Sequence, residues 1–210
     1  MKQLLTLIFI AMLMLINRAG AATIEPDASV AVMDFGTHPG AVPIDINILN
    51  AGRAANEYVT KRLVESGKFN VIDRFMVEET IENEGLNTTG LIDPDTARRL
   101  GEILGVQYIV CGNINDVTLS DVGTKILSSG VTVCTVKAHL IMRMLNVETG
   151  EILMASKGEG KSKSSFVRVS GGPILTVEVG RTKVTQDSVH NVIEQSAFGA
   201  VDILLERLKL

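Results

Sequence analysis

The chain of 210 residues carries 46% hydrophobic side chains, enough for one packed domain of ordinary size and too many for a disordered chain. Its formal net charge of −4 leaves no basic footprint for nucleic acid, and 4% aromatics without a single Trp argue against interfaces or membrane belts built on large rings. Two Cys and three His supply neither a disulfide scaffold nor a zinc cage, so no metal and no cofactor are expected.

Residues 1–21 read as a secretory signal peptide: Lys2, then 13 apolar residues from Leu4 to Ile16, then Ala19-Gly20-Ala21 as a small-x-small cleavage pattern. A helix of that length reaches only about 20 Å, short of a bilayer core of about 30 Å. The mature chain is expected to begin at Ala22, with 18 basic and 24 acidic residues and a net charge of −6. No Cys lies near the cleavage point, so the product is expected to be exported and not lipidated.

Residues 29–35 (SVAVMDF) read as a buried strand, followed by a loop punctuated by Gly36, Pro39, Gly40 and Pro43. Asn50 is placed to cap a helix with Ala51, Ala54, Ala55, Tyr58, Val59 and Leu63 on one stripe, closed by Gly67. A short strand at 69–72 leads to Asp73, which can cap a helix carrying Val77 and Ile81 and stopping near Gly85. Asp93-Pro94-Asp95 combines a capping carboxylate, a proline in the first turn and a second acid at the positive helix end; Gly105 closes that helix. A strand at 107–114 is expected to pair within 131–146, and Glu148-Thr149-Gly150 to turn the chain into a further strand at 151–155. Residues 156–184, rich in Lys, Ser and Gly, read as an extended hairpin arm. Thr185 and Asp187 open a last helix that buries Val189, Val192, Ile193, Val201, Leu204 and Leu208. The class is α+β: a mixed, largely antiparallel sheet packed with helices, in one domain over 22–210.

No motif amounts to a catalytic centre. Gly158-Glu159-Gly160-Lys161-Ser162 carries the tail of a phosphate-binding loop, but Ala155 stands where the first Gly is needed, and a solvated hairpin tip is expected instead. His38, His139 and His190 share no ligand spacing, and Asp93 with Asp95 is explained by helix capping. Asn87-Thr88-Thr89 matches a glycosylation acceptor, set aside because the chain reads as bacterial. Cys111 and Cys134 fall on strands expected to be neighbours, which leaves two readings open: a cross-strand disulfide, or two buried thiols.

The segments VAVMDF at 30–35, FNVIDRFMVEETIENEGL at 69–86, GLIDPDTARRLGEILGVQYIVCGNI at 90–114 and LNVETGEIL at 145–153 resemble the CsgG/HfaB family, which includes the curli secretion component of the bacterial outer membrane. The resemblance implies a CsgG-like single domain and a multimeric assembly in which subunits donate two hairpins each to a shared barrel. Here those hairpins would fall at 119–133 and 156–184. The first is short for two spanning strands of about 9–11 residues, and neither has an aromatic girdle. The family's constricting loop carries aromatic side chains, whereas the matching loop here, residues 39–50, has none.

The resulting expectation is a non-enzymatic, CsgG-like envelope protein, periplasmic or associated with the outer membrane, that assists assembly or secretion of surface material through protein partners, as a homo-oligomer or beside outer-membrane machinery. The alternatives are a multimeric outer-membrane pore, with membrane insertion, and a periplasmic module regulating a cell-wall synthase. The candidate partner-binding strip is Val42, Ile44, Ile46 and Asn47 in the loop before the first helix, where apolar positions alternate with polar ones. The arm, with Lys157, Lys161, Lys163 and Arg168, is the second candidate surface.

Overall fold

The computed structural model describes residue 24 and residues 27–37, 51–86, 93–126, 129–170, 176–180 and 186–208. In chain order these form β1 (Ala28–Val32), β2 (Gly36–Thr37), α1 (Ala51–Ser66), β3 (Phe69–Val71), α2 (Arg74–Asn83), α3 (Pro94–Leu104), β4 (Tyr108–Ile126), β5 (Ser129–Asn146), β6 (Ile152–Ser170), β7 (Thr176–Gly180) and α4 (Gln186–Leu208). The signal segment 1–21 and the loop strip at Val42–Asn47 lie outside the described residues.

One sheet runs in the order β3-β1-β4-β5-β6-β7, with β2 beside β4. β1 is parallel to β3 and β4, and β4 through β7 are antiparallel neighbours. This is the expected α+β architecture. Strand alternation distributes the core onto two faces. Val30 and Val32 face α1 and α4 with Val110, Leu140 and Met142; Ala31 and Met33 face α2 and α3 with Ile109, Cys111 and Leu145.

The helix ends follow their local signals. Asp73 accepts a hydrogen bond from the Phe75 backbone N–H, and Asp93 accepts from those of Asp95 and Thr96, with Pro94 in the first turn. Gly105 ends α3 in the left-handed region at φ 66°, where a Cβ is unfavourable.

The strands depart from the sequence reading. β4 does not end at Ile114: it runs 19 residues, to Ile126, and pairs with β5 throughout. The polar pair Asn115-Asp116 marks a bulge, where the register shifts between Ile114 and Asp116. The extra residue resets the alternation, so Ile114 and Val117 both point into the core below α1 and α4.

β6 likewise does not stop at Ala155 but continues to Ser170. The Gly158–Gly160 stretch is therefore not a hairpin tip; it lies in mid-strand beneath α4. A Cβ at Gly158 would come within 1.7 Å of the Ser196 carbonyl oxygen, and one at Gly160 within 1.9 Å of that of Val192. Ser196, fully buried, donates to the carbonyls of Ala138 (3.0 Å) and Val192 (2.6 Å). Gln195 accepts from the Lys161 backbone N–H, and Arg207 donates to the Ala155 carbonyl, so α4 side chains satisfy groups of β6 beyond its pairing with β5.

Candidate functional site

Lys61 and Arg62 of α1 pair with Glu194 and Asp202 of α4 across an exposed seam, and two further regions of the described structure gather charged side chains. The first is a cleft of about 310 Å³ where β1 ends, lined by Asp34, Arg53, Asn56, Arg74, Val77 and Glu78 among others. Arg74, the first residue of α2, lies against three carboxylates: Asp34 at 3.3 Å, Glu57 at 3.7 Å, and Glu78 one turn further along its own helix. Arg53 of α1 reaches the same Glu78 oxygen at 3.2 Å. Asn56, 2% exposed, donates to the Val32 carbonyl at 2.9 Å and accepts from Thr60, which satisfies the end of β1 where the sheet stops pairing. Each guanidinium here already has acids, and the cleft presents no nucleophile beside a base. The cluster ties α1, the end of β1 and α2 to one another.

The second region is the long ribbon of β4, β5 and β6. The register sets its outer face as a ladder of cross-strand levels. Asp116, His139 and Glu159 form one level, Thr118, Lys137 and Lys161 the next, and Ser120, Thr135 and Lys163 the one after. In the first, His139 Nδ1 lies 2.8 Å from Asp116 Oδ1 and Nε2 lies 3.5 Å from Glu159. Lys157, at 2.9 Å, together with its charge and that of His139, holds the Glu159 carboxyl below the usual carboxylate range. In the second, Lys137 and Lys161 stand directly opposite one another, both exposed. Among the described residues neither these two nor Lys163 makes an ion pair. α2 and α3 cover the outer face around Ile109, Cys111 and Leu145, whereas Thr118, Ser120, Lys137, Lys161 and Lys163 are exposed.

The cysteine question is resolved by register. Cys111 pairs across from Arg143, and Cys134 from Asp121, about ten positions away along the same ladder. At about 3.4 Å per residue the two are on the order of 30 Å apart, far beyond the roughly 7 Å that a disulfide allows. They are not bonded to each other, and both side chains are buried. Burial pushes the Cys111 thiol up to about 11, with Arg143 only partly opposing, so it is protonated and unreactive at neutral pH.

Of the other residues singled out, His190 lies on exposed α4 surface with its Nδ1 3.4 Å from the Tyr58 hydroxyl, and Asp93 acts as a helix cap. Among the described residues there is no cluster of three His, Cys, Asp or Glu able to hold a metal, and no helix long and apolar enough to cross a membrane. Sequence reasoning missed the facing of Lys137 to Lys161, which depends on a pairing between strands.

A mixed sheet with paired helices on each side of β1 and a long antiparallel ribbon defines an α+β module with an exposed, lysine-bearing sheet face. The chain belongs to the CsgG family: the model described as curli production assembly/transport component CsgG matches residues 12–209. That makes it a cell-envelope protein. No curated protein matches it significantly. Similar solved structures include the LpoB C-terminal domain from Escherichia coli, at 18% identity, covering 70% of this chain and 91% of that one with TM-score 0.46. Lipoprotein GNA1162 from Neisseria meningitidis is similar at 15% identity, covering 87% and 98%, with TM-score 0.44. The PelC dodecamer from Paraburkholderia phytofirmans is similar at 11% identity, covering 89% and 90%, with TM-score 0.40.

Proposed function

We propose that this chain is exported to the periplasm and assists assembly or secretion of surface material through protein–protein contacts, as a homo-oligomer or beside outer-membrane machinery. The observation that carries this reading is the outer face of the β4–β5–β6 ribbon, left uncovered from Thr118 to Lys163, whereas the cleft around Arg74 and the seam between α1 and α4 are internally neutralised. A sheet face built to be solvated and left without a helix is suited to a partner rather than to a substrate. The loop strip Val42, Ile44, Ile46 and Asn47, which follows β2 in the chain and lies outside the described residues, is proposed for the same role.

Photo-crosslinking from Thr118 and Thr135 in the intact envelope tests this. The expected result is a discrete adduct containing a second copy or another envelope protein. Capture of a cell-wall synthase would assign the chain to the regulatory alternative, and no adduct from either position refutes the contact reading.

A second reading, a multimeric outer-membrane pore formed by 119–133 and 156–184, is favoured by one observation. Beyond Ser120 the strands stay paired, β4 with β5 to Ile126, β5 with β6 to Val169 and β6 with β7 over Phe166–Ser170, a continuous antiparallel ribbon of the kind that subunits could close into a shared barrel. The five levels from Val122 to Ile126 reach roughly 17 Å, less than the apolar band of about 25 Å in such barrels. Leakage of a trapped dye from vesicles is the test: a detergent-extracted ring that causes leakage supports the pore, and sealed vesicles exclude it.

A further inference from the structure

We infer that a second copy of this chain docks on the outer face of the ribbon: the exposed stripe of α2 in one copy seats on Lys137 and Lys161 of the other, and a twofold axis repeats the contact. The inference rests on the contact reading proposed above and names its partner.

The first observation is an apolar stripe left in water. Phe75 is 76% exposed and Met76 56%, side by side at the start of α2. Val77 and Ile81 turn the opposite side of the helix to the core, so Phe75, Met76, Glu79, Glu82 and Asn83 make its outward surface. Phe and Met are enriched where proteins meet.

The second observation is charge. Among the described residues neither Glu79 nor Glu82 makes an ion pair, and neither do Lys137, Lys161 and Lys163. Residues three apart on a helix stand about 5–6 Å from one another, and directly opposed residues of neighbouring strands about 4.5–5.5 Å. Glu79 and Glu82 are thus spaced to meet Lys137 and Lys161 one to one, which relieves the like-charge pair that the register creates.

The third observation is placement. Strand alternation puts Leu145, which packs under α2 and α3, on the same face of β5 as His139, Lys137 and Thr135. Lys137 lies about 27 Å along the strand from Leu145. The face therefore has a step, with a helical layer at one end and bare strands at the other. A copy turned over about an axis across the ribbon lays its helices on the bare strands, and the symmetry makes the same contact at the other end. The step also argues against a flat anionic bilayer, because α2 stands above the strands and brings Glu79 and Glu82 to the headgroups first. An unrelated acidic protein would match the lysines and leave the α2 stripe without a role.

The test is sedimentation velocity of residues 22–210 without detergent. The wild type is expected to form a dimer that dissociates on dilution and as salt rises. Lys137→Glu with Lys161→Glu, and separately Glu79→Lys with Glu82→Lys, are each expected to weaken self-association about a hundredfold, since like charges then face each other at both contacts. Both variants should keep the wild-type circular dichroism spectrum, because all four positions are exposed. An equal mixture of the two is expected to recover the dimer, because every contact again joins opposite charges. Phe75→Ser should weaken the dimer about tenfold with its salt dependence unchanged. A wild type that stays monomeric, an assembly larger than two, a dimer indifferent to either charge swap, or a mixture that does not recover each overturns the inference. A chain that is monomeric in solution while Thr118 still crosslinks to another envelope protein removes this inference and leaves the contact reading standing.

Discussion

Replacing Gly158 by Ala tests whether β6 and α4 meet backbone to backbone. The new Cβ would stand 1.7 Å from the Ser196 carbonyl oxygen, 2.7 Å from its carbonyl carbon and 2.9 Å from the Ala200 nitrogen. All three are backbone atoms of one helix, so no side chain can swing aside. α4 must retreat until that first contact reaches at least 3.0 Å. A gap of even 0.5–1 Å forfeits about a quarter to a half of each dispersion contact across it. The row that loosens includes Val192, Ile193, Ala197, Ala200 and Val201, each at most 1% exposed. Overpacking typically costs about 1–3 kcal/mol; with a whole helix displaced, the upper end, about 3 kcal/mol, is expected. In a domain of this size that lowers Tm by roughly 6–12 °C. Gly199→Ala is the control: its nearest neighbour is the Gly158 Cα at 3.9 Å, so it should gain up to about 1 kcal/mol of helix propensity. Urea unfolding followed by circular dichroism measures both. A Gly158→Ala protein within about 0.5 kcal/mol of wild type would refute the close packing of α4 on β6.

Asn56→Leu removes the donor to the buried Val32 carbonyl and is expected to cost about 1–3 kcal/mol, read by the same unfolding assay. Gly105→Ala forces a Cβ at φ 66° and should cost about 1 kcal/mol, while leaving the far-ultraviolet spectrum unchanged. Cys111 should resist alkylation in the native protein at neutral pH and react fully in urea. Its thiol ionises from near 9 when unfolded but only at about 11 when folded. The contribution to stability is therefore present below pH 9 and lost as pH rises towards 11, by up to about 3 kcal/mol. Comparison of Cys111→Ala with wild type across that window isolates the slope, and equal slopes contradict the assignment.

The helices were legible because their signals are local: Asp73 and Asp93 with Pro94 announce starts, and Gly67 and Gly105 announce ends within a few residues. The strand lengths were not. Asn115-Asp116 looks like a terminus in sequence, and only the facing strand shows that one extra residue is absorbed as a bulge while β4 continues. Gly158 and Gly160 read as a turn because glycine usually marks one. Their reason lies in Val192 and Ser196, more than thirty residues later, where α4 closes onto the strand. Register also decided the cysteines and brought Lys137 opposite Lys161, and neither fact is written in the spacing along one strand. The loop strip Val42, Ile44, Ile46 and Asn47 stands as a proposal, outside the described residues.

The most direct measurement is the light-scattering mass of residues 22–210 prepared without detergent, followed by mixing with dye-filled vesicles. A protein acting by contact in the periplasm gives a discrete soluble species and leaves the dye enclosed. A large ring that needs detergent and releases the dye contradicts the account and makes the chain a reduced secretion channel.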